Sequence, residues 1–185
     1  MSREPRLRAD ARRNRVRVLE AAQAAFEAEG VNVPLDDIAR RAGVGAGTVY
    51  RHFPTKEALF AAVVDHRLEQ LADEAGELLT ADADGAAFFE LFQRIAERAV
   101  LNRALCDALF AGTGEPMAKD HPRRADLRST MDTLLRRAQR SGTVRADVTG
   151  DHVFAAIAGA LTMERQSGGG DGHMTAIVLD GLRRT

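Results

Sequence analysis

Apolar residues recur along the chain with the period of an α-helix. The clearest run has apolar positions three or four residues apart, at Phe60, Val64, Leu68, Leu71, Ala75 and Leu78. This spacing places the apolar side chains on one face of a helix. No stretch shows the sustained alternation of polar and β-branched residues that indicates a half-buried strand. The pattern therefore predicts an all-α fold.

Prolines, glycines and capping residues divide this pattern into about nine helices. Pro34 suits the first turn of a short helix, and Gly43 suits its end. Pro54 ends the next short helix, and Thr55 can cap the long helix that follows. The predicted helices lie at about 18–29, 35–42, 46–53, 56–81, 88–99, a short segment reaching Ala111, 127–140, 150–164 and 173–183.

Two of the short helices form a helix-turn-helix pattern, with a tight turn at residues 43–45 between them. Gly43 can adopt the left-handed conformation that such a turn needs, and Ile38 and Val49 are apolar enough to hold the helices together. The second helix begins with small residues that let a backbone approach a groove or a phosphate, and hydrogen-bond donors follow. The small residues are Gly45, Ala46, Gly47 and Thr48; the donors are Tyr50, Arg51, His52 and Lys56. The pattern favours a DNA-binding unit.

The net charge of −1 hides an uneven distribution. Residues 1–60 carry 11 Lys/Arg and 8 Asp/Glu, whereas residues 61–185 carry 15 and 19. Residues 1–17 alone hold seven arginines and two acidic residues. A basic front on an acidic body is typical of a polyanion-binding end, although a well-solvated tail would give the same composition.

The segment "AGVGAGTVYRHFPTKEALF", with "RVLEAAQAAFEAEG" and "IARRAG" before it, resembles the N-terminal domain of the TetR family of bacterial transcriptional regulators. The resemblance covers roughly residues 12–64. It implies an N-terminal arm and three-helix DNA-binding domain at residues 1–55, and a helical effector-binding and dimerisation domain at residues 56–185. It further implies a homodimer, usually a repressor, that binds a near-palindromic DNA operator and is released by a small-molecule effector.

The resemblance also implies roles for individual residues. Those at positions that commonly touch phosphates are Thr48, Tyr50, His52 and Lys56; those at positions that face the major groove are Ala46, Gly47 and Arg51. Arginines of the N-terminal arm, including Arg12 and Arg13, can follow the DNA backbone or enter the minor groove. Leu35 and Asp36 stand where some relatives place a DNA-contacting arginine or threonine, so specificity rests on fewer residues. Tyr50 can instead pack between helices, and His52 can cap its own helix.

The C-terminal two-thirds resembles the family only in its layout. Four apolar residues of this part are candidates for lining an effector pocket, although an ordinary core would contain the same residue types. They are Phe88, Phe92, Phe110 and Met131. The last two predicted helices are candidates for a two-fold dimer contact, although burial within one chain explains the same pattern. The candidate dimer residues are Phe154, Ile157, Ala158, Leu161, Ile177 and Val178.

Enzymatic and membrane functions are not indicated. The sequence contains no HExxH motif, no paired cysteines and no GxSxG motif, so we expect no catalytic residues, no metal site and no cofactor. Cys106 is the single cysteine; it is either an inert thiol or a redox sensor. No apolar run approaches the roughly 20 residues of a membrane span, and we expect a cytoplasmic protein. The remaining alternatives are a regulator without an effector, and a helical small-molecule-binding protein or enzyme without a DNA role.

Overall fold

The computed structural model describes residues 3–30, 32–81, 85–101, 122–166 and 172–184. These residues form eight α-helices and contain no β-strand, which confirms the all-α prediction. The helices are α1 (Arg3–Glu29), α2 (Leu35–Ala42), α3 (Ala46–His52), α4 (Lys56–Ala81), α5 (Ala86–Leu101), α6 (Pro122–Arg140), α7 (Gly150–Gln166) and α8 (His173–Leu182). The short helix predicted to reach Ala111 lies outside the described residues.

The chain divides into two compact units, Met1–His66 and Arg67–Thr185. Helix α4 supplies its first part to the N-terminal unit and its remainder to the C-terminal unit. The boundary expected from the sequence, between residues 55 and 56, lies eleven residues before this division, at the start of α4.

The N-terminal unit packs α1, α2, α3 and the start of α4 around one apolar core. Leu19, Ile38 and Leu59 are fully buried there, and the rings of Phe26 and Phe60 meet edge to face with centroids 5.7 Å apart. Burial of such side chains stabilises the unit by about 1.5–3 kcal/mol each. Since an isolated helix of seven residues is unstable in water, α3 depends on this core for its structure.

Helix α1 begins much earlier than its apolar pattern indicates. The pattern places the start near Val18, but the helix already starts at Arg3. Alanine and arginine favour helix in this leading part, yet their side chains show no apolar face from residue 10 to residue 17, where every residue is exposed or half-buried. Periodicity detects a helix only where one face is apolar, so it misses this part.

The C-terminal unit contains α5 to α8 together with the second part of α4. Helices α5, α6 and α7 pack against one another, and α8 packs against α7 and α5. The buried Glu164 of α7 holds the start of α8, because its Oε1 accepts hydrogen bonds from the backbone N–H groups of Met174 (2.8 Å) and Thr175 (3.2 Å). In the described part of the chain, no helix has the length and apolar character needed to cross a membrane.

Candidate nucleic-acid interface

The turn between α2 and α3 depends on Gly43. This residue has φ 65° and ψ 36°, a left-handed conformation that costs other residues roughly 1–2 kcal/mol. Its N–H donates to the carbonyl of Arg40 (3.1 Å), and the N–H of Val44 donates to the carbonyl of Ala39 (3.0 Å), which closes the end of α2. A Cβ at this position would lie 2.6 Å from Nη2 of Arg17, the far end of a flexible side chain, so a larger residue would displace that guanidinium.

Helix α3 is anchored through one side and its C-terminal end. Val49 is the only buried residue within the helix. Phe53, directly after it, is also buried, and its N–H donates to the carbonyl of Val49 (2.8 Å). The remaining residues face outward: Ala46, Gly47, Tyr50, Arg51 and His52 are exposed, and Thr48 is half-buried. The tertiary structure therefore presents the predicted DNA-binding residues of this helix on the surface.

The two aromatic residues for which the sequence left alternatives are both accessible. The side chain of Tyr50 is 47% exposed, so the ring is only partly used for packing. His52 is exposed, and its ring lies beside that of Phe53 with centroids 6.1 Å apart. Both side chains keep polar atoms available to a partner at this surface.

Lys56 is held at the start of α4 by the backbone of the segment before α2. Its Nζ donates to the carbonyl of Asn32 (3.0 Å). An ammonium group has three donors, so two remain for a phosphate. Thr55 caps α4 by accepting a hydrogen bond from the N–H of Ala58 (3.1 Å). The pKa of the Glu57 carboxyl is lowered, first by a hydrogen bond from its own backbone N–H and then by the Thr55 hydroxyl; the carboxylate suits the helix N-terminus.

The arginines of α1 differ in their surroundings. Arg12 and Arg13, which the sequence analysis singled out, are exposed on the leading part of the helix, and Arg13 pairs with Asp10. Arg15 and Arg17, which it did not single out, approach the helix-turn-helix at Phe53 and Gly43 respectively. Sequence spacing alone could not predict these two contacts, because they depend on how α1 packs against α2 and α3.

The first turn of α2 offers no basic group to DNA. Leu35 is buried, and Asp36 is exposed. Asp37 accepts a hydrogen bond from Arg40 of the same helix (2.8 Å). The expectation that specificity rests on fewer residues than in some relatives stays a prediction.

Two family models match this chain and together cover both units. The model of the bacterial regulatory proteins of the tetR family matches residues 18–63, and the C-terminal domain model of SbtR-like transcriptional regulators matches residues 83–184. A TetR transcription regulatory protein from Mycobacterium vanbaalenii has a crystal structure with a TM-score of 0.72 and 47% sequence identity. The alignment covers 96% of this chain and 99% of that one. The chain belongs to the TetR family.

Further TetR-type relatives agree with this assignment. A regulator from Streptomyces coelicolor is 33% identical, with a TM-score of 0.71 and coverage of 92% of this chain and 99% of that chain. An HTH-type transcriptional regulator of Staphylococcus aureus (strain USA300) is 42% identical over 64 residues, 34% of this chain and 35% of the relative. The chain thus matches about a third of the length of that curated relative.

Membership of the TetR family makes this chain a helix-turn-helix transcriptional regulator rather than an enzyme. Its N-terminal unit is the DNA-binding domain of the family, and its C-terminal unit is the regulatory domain. Within the ranges that the structure describes, no three or more His, Cys, Asp or Glu side chains come together to hold a metal ion.

The candidate effector residues lie inside the regulatory domain. Phe88, Phe92 and Met131 are fully buried, Phe88 and Phe92 on α5 and Met131 on α6. Phe110 and Cys106 lie outside the described residues. Burial is what both an effector pocket and an ordinary core require, so these three residues stay candidates.

The candidate dimer residues separate into two groups. Phe154, Ile157 and Leu161 of α7 are buried within the C-terminal unit, where α7 packs against α5 and α6, and Arg128 lies over the Phe154 ring at 4.4 Å from its centroid. This is the intramolecular burial that the sequence left open. Ala158 and Val178 are half-buried, and Ile177 is 53% exposed. Ala158, Ile177 and Val178 are therefore the accessible members of this set.

Proposed function

We propose that this TetR-family regulator is a cytoplasmic repressor that binds a near-palindromic operator as a homodimer and leaves it when a small-molecule effector binds. The observation that carries the proposal is the exposed face of α3, which the buried Val49 and Phe53 anchor to the core. An anchored helix with small residues and hydrogen-bond donors on its surface is suited to the major groove.

The residues of this face have different proposed roles in DNA binding. Thr48, Tyr50, His52 and Lys56 donate hydrogen bonds to phosphates and set the orientation of the helix, since phosphate contacts position a protein without specifying sequence. Arg51 contacts a guanine base with its two-pronged guanidinium. Gly47 and Ala46 allow close approach; a Cβ at Gly47 would meet no atom of the chain within 4 Å, so packing within the protein does not require glycine there. Arg12 and Arg13 add backbone contacts.

The proposed dimer uses the outer face of α7 and α8. Large apolar side chains are exposed on both helices, Met163 at 40% and Ile177 at 53%. A Cβ at Gly159 or Gly181 would meet no atom within 4 Å, so both positions permit close approach of a second copy. An apolar face of this kind on one chain suits an isologous two-fold contact. Two-fold symmetry would place the two copies of α3 about 34 Å apart, or a multiple of that.

The Ile177→Asp variant tests this face. A carboxylate at the centre of an apolar contact loses its hydration without gaining a partner, so we expect the dimer dissociation constant to rise at least about tenfold, which corresponds to about 1.4 kcal/mol. Sedimentation analysis over a concentration series measures it. Ser129→Asp, at an exposed position of α6, adds the same charge elsewhere and is the control. Equal dimerisation by both variants and the unsubstituted protein would exclude this face.

The proposed effector is an apolar small molecule, because the candidate residues Phe88, Phe92 and Met131 are apolar and lie in the interior. Phe110 is proposed for the same site. Binding must favour a conformation that no longer fits the operator, and a coupling free energy of about 1–3 kcal/mol is sufficient. The second candidate function is that of a regulator whose C-terminal unit serves only dimerisation. The complete burial of Phe88, Phe92 and Met131 favours this candidate equally well, because an ordinary core also buries such side chains.

Selection of DNA from a randomised duplex library tests the proposed function. We expect enrichment of a near-palindrome whose half-sites are separated by about one helical turn or a multiple of it, bound with an affinity that falls steeply as salt rises. A compound screen for release of that duplex then separates the effector-dependent regulator from the purely dimeric one. If no sequence is enriched at moderate salt, the proposed operator binding is wrong, and the protein is a helical protein that binds another ligand.

A further inference from the structure

Arg17 of α1 lies over the turn of the helix-turn-helix. Its Nη2 occupies the space beside Gly43 in which a side chain would otherwise stand, 2.6 Å from the position of a Cβ there. The guanidinium thus lies at the end of α2, three positions before Ala46, the first residue of α3.

Arg15 of the same helix reaches the other end of α3. Its guanidinium carbon lies 5.6 Å from the centre of the Phe53 ring, which follows the last residue of α3. A guanidinium over an aromatic face gains a favourable cation–π interaction. Phe53 is buried, so the contact places Arg15 beside the C-terminal end of α3.

Neither guanidinium is neutralised by a carboxylate within the described ranges, and both side chains are exposed. The neighbouring arginines differ: Arg13 pairs with Asp10, Arg40 with Asp37 and Arg41 with Glu29. Arg12, Arg51 and Lys56 likewise form no ion pair with a carboxylate of the described residues. Arg15 and Arg17 differ from them because they lie against Phe53 and Gly43 of the helix-turn-helix.

We propose that Arg15 and Arg17 bind DNA phosphates on either side of the recognition helix. The proposal rests on the proposed operator binding. A helix of seven residues is about 10 Å long, and the major groove that it would enter is about 12 Å wide and bordered by phosphates. In the proposed complex, Arg15 beside Phe53 and Arg17 beside the turn reach the phosphates on those borders. Their contacts with Gly43 and Phe53 order the side chains in advance, which reduces the entropy lost on binding.

The test is the salt dependence of duplex binding by Arg15→Met and Arg17→Met. Methionine keeps an apolar stem but removes the charge. Each phosphate contact adds about 0.9 to the slope of log affinity against log salt concentration. Each variant is therefore expected to lower the slope by about 0.9 for each bound protomer, or about 1.8 for a dimer. The affinity ratio of unsubstituted protein to variant then falls about 12-fold between 50 and 200 mM salt, by the same relation. The probe is the duplex selected from the randomised library.

Two controls separate phosphate binding from structural support. Arg17→Lys retains the charge and is expected to keep the slope, whereas Arg136→Met removes an exposed arginine of the C-terminal unit and is expected to leave it unchanged. Thermal unfolding of each variant reports on the fold. Slopes equal to that of the unsubstituted protein in both Met variants would overturn the inference, as would a lower melting temperature with an unchanged slope. If the unsubstituted protein binds no duplex, the proposed function fails instead.

Discussion

The double variant Tyr50→Ala, Lys56→Ala is expected to bind the selected operator at least about 100-fold more weakly than the unsubstituted protein. Hydrogen bonds to charged groups contribute about 1.5–3 kcal/mol each, and the variant loses two for each protomer. Tyr50 is 47% exposed. Lys56 also lies at the surface, where its hydrogen bond to the Asn32 carbonyl fixes the position of the ammonium group. Fluorescence anisotropy with the selected duplex measures the affinity, and the salt slope should also become shallower through the loss of Lys56.

Single substitutions show which part of each side chain matters. Tyr50→Phe removes only the hydroxyl, so it is expected to lose most of the affinity that Tyr50→Ala loses if the tyrosine binds a phosphate. Retention of full affinity by Tyr50→Phe would show that the ring acts by packing. Thermal unfolding is a necessary companion measurement, because Lys56→Ala also removes the hydrogen bond to the Asn32 carbonyl. Unchanged affinity in the double variant would refute the proposed role of this surface.

Arg51→Ala is expected to relax the base preference of the protein at one position in each half-site. A bidentate contact to guanine discriminates against other bases by about 1–3 kcal/mol, so a symmetric dimer loses about twice that amount. Arg51 is exposed on α3 and has the only long side chain among the three residues proposed to face the groove. Repeating the selection with the variant, and competing the original duplex against single base-pair changes, measures the lost preference.

Arg51→Lys is the matched control for charge. Lysine retains the positive charge but lacks the planar pair of donors, so the salt slope should persist while discrimination at guanine declines. An Arg51→Ala variant that selects the same sequence with the same stringency would rule out base contact by this residue. Lower affinity with unchanged base preference would instead place Arg51 among the phosphate contacts.

The exposed face of α3 was largely predictable because its signals are local. Gly43 and Pro54 delimit α3 in the sequence, and both the left-handed turn and the helix boundary follow from the backbone chemistry of those residues. Val49 was the apolar residue expected to join the helices, and it is fully buried. Exposure of Tyr50 and Arg51 follows from helical geometry once that anchor is known. His52 lies three residues after Val49, on the anchored side of the helix, and only the tertiary structure shows that it is exposed.

The surfaces of the C-terminal unit were less predictable, because apolar periodicity reports burial without naming what covers the side chain. Ile157 and Leu161 have the spacing expected for either a dimer face or a core, and the packing of α7 against α5 and α6 buries them within one chain. Ile177 belongs to the same predicted set but remains 53% exposed. The same apolar periodicity thus included both buried residues and an exposed residue.

By itself the sequence determined the all-α class, most helix boundaries and the residues of the recognition helix, since these depend on contacts within a few residues along the chain. Only the tertiary structure decided that Arg15 and Arg17 lie against Phe53 and Gly43, that Lys56 is hydrogen-bonded to Asn32, and which side of α7 is internal. Those contacts join residues far apart in the chain, and the relative placement of packed helices sets them. No periodicity within a single helix encodes that placement.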